Sequence, residues 1–133
     1  MKKRNCECIG FIVDLEIELS TDIYEGCGWG KTLIGSCENK GIYKGRGWGR
    51  ELIGEYDDGT IYSGHGWGRS IIGTYNGGGI YEGSGFFRSL IGEYKNGSIY
   101  SGTGLFKELV GTYEGDESGA AAAAFLLLLK NKI

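Results

Sequence analysis

The chain repeats itself every 19 residues, five times in succession, and that period restricts the fold more than any other feature. Ile23, Ile42, Ile61, Ile80 and Ile99 each open a copy of I-Y-x-G-x-G-[W/F/L]-x-[K/R]-x-[L/I]-[I/V]-G-x-[Y/C], and a turn follows each copy. A unit this short cannot bury an apolar face alone, so the copies must stack or close on one another. Residues that recur in every copy serve the scaffold or a repeated surface, whereas a catalytic centre usually needs unlike residues converging once.

Each copy reads as two short strands. In the second copy these are Ile42 to Gly47 and Glu51 to Tyr56. Between copies stand Asp57-Asp58-Gly59, Asn76-Gly77-Gly78 and Lys95-Asn96-Gly97, whose residue types tolerate positive φ in tight turns. An eleventh strand is expected ahead of the repeats, where Phe11, Val13, Leu15, Ile17 and Leu19 alternate with mostly polar residues. The expectation is a mainly β fold: a closed antiparallel up-and-down meander barrel of about 10–12 strands, since twist drives closure and closure removes exposed edges. Tyr43, Gly45 and Gly47 share one parity, as do Leu52, Gly54 and Tyr56. A three-residue loop at Asp57 to Gly59 aligns both sets into one inner Tyr/Gly/Leu face and a two-residue turn opposes them; the aligned arrangement is expected, because it leaves most of the variable polar positions outside.

An inner face so rich in glycine calls for something bulky against it. Gly119 to Lys130, GAAAAAFLLLLK, is a strong helix former. At roughly 18 Å it is far shorter than a bilayer core of ~30 Å. A strand tilted in a barrel covers roughly 18 Å of axis, so the helix is expected to thread the barrel. The chain is thus expected to form one domain over 1–133, with an N-terminal strand (1–22), five repeats (23–116) and a buried C-terminal helix (117–133).

A barrel around a hydrophobic C-terminal helix such as Gly119 to Lys130 resembles the tubby-like architecture of tubby C-terminal domains, LURP-one proteins and phospholipid scramblases. Over residues 23 to 129, Tyr/Gly copies followed by an Ala/Leu tail also resemble small bacterial repeat proteins. Ile23-Tyr24-Glu25-Gly26 and Ile80-Tyr81-Glu82-Gly83 resemble the Y-E-G start of MORN repeats. These resemblances imply a repeat barrel and supply no catalytic residue.

A net charge of −3, with 27 Gly and no Pro, argues against a dedicated nucleic-acid binder and against a disordered linker. The basic start at Met1 to Asn5 leads into an apolar run broken by Glu7 and Asp14, so no leader is expected. The expected location is cytoplasmic, with peripheral membrane association open, and Cys6, Cys8, Cys27 and Cys37 are expected as thiols. Their spacing matches no standard zinc pattern, and neither metal nor cofactor is expected. His65, the one histidine, occupies the variable slot held by Cys27, Arg46, Ser84 and Thr103, with no triad partners placed around it. The Gly-x-Gly pieces open no phosphate-binding helix.

The best candidates for function lie between the two strands of each copy. There Trp29, Trp48, Trp67, Phe86 and Leu105 are followed by Lys31, Arg50, Arg69, Arg88 and Lys107. In a meander these turns share one rim, opposite an acidic rim of Glu38, Asp57, Asp58, Glu114 and Asp116. A structural role would have the tryptophans close the barrel mouth while the cations stack on them or face the negative end of the helix dipole. A functional role would be an aromatic and cationic surface for anionic lipid, a glycan or another protein. The chain is therefore expected to be non-enzymatic, a binding or structural module; membrane-active and carbohydrate-binding roles are the alternatives.

Overall fold

The computed structural model describes residues 20–83, 85–116 and 118–129. Ten strands run through them: β1 (Ser20–Glu25), β2 (Thr32–Glu38), β3 (Gly41–Lys44), β4 (Glu51–Asp57), β5 (Thr60–Ser63), β6 (Ser70–Asn76), β7 (Gly79–Glu82), β8 (Ser89–Lys95), β9 (Ser98–Ser101) and β10 (Glu108–Glu114). Each pairs antiparallel with its neighbours in sequence, and β10 returns to β1 through Tyr113 opposite Ile23. The sheet is a closed up-and-down barrel, the expected outcome among the stacked and closed arrangements that the repeat period allows. The strand expected at Phe11 to Leu19 lies outside the described residues, as do Cys6 and Cys8.

Every copy contributes a short strand, a tight loop and a long strand. The short strand stops at Lys44 in the second copy because Gly45 and Gly47 take φ of +87° and +64°. Side chains other than glycine rarely adopt that region, so this pair turns the chain out of the sheet. Gly45 and Gly47 therefore belong to the loop and line no face of the barrel, contrary to the expectation from parity.

The inner face also differs from the expected Tyr/Gly/Leu set, for two local reasons. The link at Asp57 to Gly59 is a two-residue turn, with Asp58 and Gly59 at φ of +49° and +84° and Tyr56 directly opposite Ile61. Then every short strand meets its own long strand across a bulge. In the second copy Ile42 faces Gly54 but Tyr43 faces Leu52, leaving Ile53 as the extra residue. The same shift recurs between Ile and Tyr in all five copies. The turn and the bulge together send Ile42, Gly54 and Tyr56 inward, and Tyr43 and Leu52 outward.

The core follows from that choice. Ile23, Ile42, Ile61, Ile80 and Ile99 are completely buried, one per copy. Cys37 fills the slot that tyrosine holds in the other copies and is also buried. Down the middle runs α1 (Ser118–Ala124), continued by a wider π turn over Phe125–Leu129. Ala120 to Ala124 and Phe125 to Leu129 are all buried, and α1 packs against β1, β2, β5 to β8 and β10.

The helix enters at the end where successive copies join, with Gly119 against Tyr75 and Tyr94. It leaves toward the opposite end, as expected. A methyl group on Gly111 would strike Phe125, and on Gly92, Gly73, Gly54 and Gly35 it would strike Leu126, Leu127, Leu128 and Leu129 in turn. Five consecutive helical residues thus seat on one glycine from each of the five copies.

Candidate functional site

The loops between short and long strands gather at one end of the barrel as five one-turn 3₁₀ helices, beginning at Gly28, Gly47, Gly66, Gly85 and Gly104. Trp29, Trp48 and Trp67 are 105% exposed, and Phe86, Phe87, Leu105 and Phe106 are 91–102% exposed. They do not close the mouth. Each tip residue points away from the barrel, because the loop is held by its own short hydrogen bond, as when Arg50 N–H donates to Gly47 O at 3.3 Å. The result is a crown of five apolar tips. Ile34, Ile53, Ile72, Ile91 and Val110, the extra residues of the bulges, pack partly buried against the core.

The five cations do not stack on the tryptophans. Each turns back along the outer wall onto the tyrosine of its own copy, and charge centre and ring centroid lie 3.9–4.6 Å apart for Lys31 on Tyr24, Arg50 on Tyr43, Arg69 on Tyr62, Arg88 on Tyr81 and Lys107 on Tyr100. Those tyrosines are available because the bulge turned them outward. Their role as platforms was missed in the sequence, although the adjacent apolar pair in each long strand (Leu52-Ile53) breaks strict alternation and signals the bulge.

Four of the cations also meet a carboxylate on the adjacent copy, which for Lys31 is the fifth copy across the closure of the ring. Lys31 pairs with Glu114 at 2.6 Å, Arg50 with Glu38 at 3.1 Å, Arg69 with Glu55 at 2.6 Å and Lys107 with Glu93 at 3.0 Å. The charge is therefore not divided between a basic and an acidic rim as expected. Long side chains reach down the wall and neutralise Glu38 and Glu114 there. Arg69 and the Gly66 amide, at 3.3 Å, donate to Glu55 and hold its carboxyl below the ordinary carboxylate value. Lys107 does the same for Glu93. Burial and nearby Glu114 push Asp22 the other way.

Two hollows open on the outer wall at corresponding positions two copies apart. One, of about 280 Å³, lies over Gly41 between Tyr43, Leu52 and Tyr56; the other, of about 350 Å³, lies over Gly79 between Tyr81, Leu90 and Tyr94. Shallower notches lie beside the tips, one lined by Trp48, Tyr43 and Arg50 and one by Trp67 and Arg69. His65 is exposed just before its loop. Among the described residues no group of three or more His, Cys, Asp or Glu is placed to hold a metal ion; Cys27 is exposed and Cys37 is buried. No helix among them is long and apolar enough to cross a membrane.

A family model described as 6-fold beta flower protein matches residues 20–128, the whole barrel and nearly all of its central helix. The chain belongs to this family. Five hairpins stand among the described residues, against the six folds of the family's description. The match supports neither the tubby-like nor the MORN resemblance. No curated protein and no solved structure matches the chain. This beta flower protein is thus a repeat β-barrel carrying its crown at one end and a cation–tyrosine belt around its wall.

Proposed function

We propose that this chain is a non-catalytic binding module whose crown of loop tips docks at a lipid–water interface. The observation that carries the reading is the near-complete exposure of an apolar residue at the tip of every copy. Large apolar side chains grouped at one end of a protein mark an interaction surface. The amphipathic ring of Trp is suited to the headgroup level of a membrane. Leu105 holds the place of Trp48 in the last copy, so what the copies share is apolarity and not an aromatic face. With four of five cations already paired, attraction to anionic lipid is secondary to insertion of the tips.

The test is co-sedimentation of the protein with neutral and anionic vesicles at low and physiological salt, with tryptophan emission followed in parallel. The expected outcome is a blue shift and binding that largely survives physiological salt. Trp48→Ala should weaken binding by about fivefold, roughly 1 kcal/mol for a partly buried ring. Unchanged emission and no sedimentation with either vesicle would overturn the reading.

A second reading rests on the notch formed by Trp48, Tyr43 and Arg50, where an aromatic face lies beside polar groups as in many sugar sites. It predicts saturable fluorescence changes with a glycan and none with vesicles.

A further inference from the structure

Internal repetition allows each copy to be read against the others, and one copy lacks a group that its counterparts have. Four cations of the belt rest between a tyrosine ring and a carboxylate from the adjacent copy. Arg88 lies on Tyr81 at 4.2 Å like the others, yet among the described residues it meets no carboxylate. The residues that could supply one are replaced. Glu55 pairs across the sheet with Tyr62; the residue in that relation to Tyr81 is Thr74. Glu38 and Glu114 lie two positions further along their strands, and the matching residue here is Asn76. Thr74 itself has a buried hydroxyl oxygen with no hydrogen-bond partner among the described residues. Thr112 has the same feature, but its neighbouring cation, Lys31, is neutralised by Glu114.

We infer that the wall between the third and fourth copies binds a small oxyanion, a carboxylate or a phosphate group, in the place that Glu55 and Glu93 fill elsewhere. Arg88 supplies the charge, its guanidinium already held over the Tyr81 ring, and the Thr74 hydroxyl donates the further hydrogen bond. A planar guanidinium held in one orientation favours such groups over halide. The depressed carboxyl values of Glu55 and Glu93 reflect how well the equivalent positions suit an anion. The site stands just below the Phe86–Phe87 tip, where the oxyanion of a lipid headgroup and that of a free solute present the same chemistry.

The experiment is an NMR titration of ¹⁵N-labelled full chain with inorganic phosphate against chloride at constant ionic strength. Saturable shifts confined to Thr74 and the loop from Gly85 to Arg88 are expected. Thr74→Glu installs the carboxylate found in two other copies, so it should fold normally and weaken phosphate binding by about tenfold or more, as should Arg88→Gln. Equal shifts at Arg50, Arg69 and Lys107, or unaltered binding by T74E with its folded spectrum retained, would overturn the site. A parallel arm compares wild type and T74E on phosphatidylserine vesicles. Weaker binding by T74E there assigns the oxyanion to a headgroup, and equal binding assigns it to a soluble ligand. Absence of all vesicle binding would remove the docking proposal while leaving the phosphate result to stand or fall alone.

Discussion

At Gly54 a single methyl group is one too many. A Cβ there would lie 2.5 Å from the Tyr62 carbonyl oxygen and 2.7 Å from Leu128 Cδ1. The side chain could yield, but the carbonyl is held in the sheet. Gly54→Ala should therefore destabilise the barrel by about 2–3 kcal/mol, read from urea unfolding, and the companion change Leu128→Ala should not restore it. A second expectation at this scale concerns acid. Glu55 and Glu93 titrate below their ordinary value of 4.5 because Arg69 and Lys107 donate to them. Carboxyls with depressed folded values contribute stability that is fully present above 4.5 and is lost as pH falls through those lower values. The double variant E55Q/E93Q should show a flatter loss of stability over that acid range, and an unchanged slope would mean that both pairs are open in solution. Asp22, shifted upward by burial, works in the opposite direction.

Among the elements, the tail carries the clearest geometric logic. Consecutive residues of an α-helix are about 100° apart, whereas five evenly spaced copies need about 72°. A π turn winds more residues into each turn, which brings the step closer to the barrel's own. This gives Phe125 to Leu129 one copy each, and it accounts physically for a π turn in place of a continued α-helix. Truncating Leu128 to Ala should cost about 2–4 kcal/mol, because the surrounding sheet cannot collapse onto the void. Inserting one alanine after Ala124 should cost more than any single truncation, since every large side chain would then meet the wrong copy. Thermal melts of both variants decide this; a milder effect for the insertion would mean that the seating is interchangeable.

For the whole molecule, closure and filling depend on one another. The strands from Ser20 to Glu114 form a ring whose inner wall is isoleucine, glycine and tyrosine, and the ring has no packed interior without its tail. Deleting residues 117–133 should yield insoluble protein, checked by the soluble fraction on expression and by circular dichroism. A soluble, monomeric, β-rich product would show that the sheet closes unaided. The crown also belongs to this scale: a single exposed tryptophan is unremarkable, and closure of the meander gathers the tips into a ring at one end.

The period, the turn chemistry and the apolar tail are legible in residue order because each depends on local propensity and on hydrophobicity that must be hidden somewhere. They suffice for a closed repeat barrel with a central helix. The directions in which Tyr43, Leu52 and Arg50 point are not local properties. They depend on a bulge, and a bulge exists only between two paired strands, where one extra residue exchanges inside for outside. That exchange turned the expected rim of stacked tryptophans and free cations into an exposed apolar crown above a neutralised wall. The lack of a carboxylate beside Arg88 among the described residues arises in the same way. Thr74 is an ordinary strand residue until the register sets it beside Tyr81, where a neighbouring copy would have placed a carboxylate.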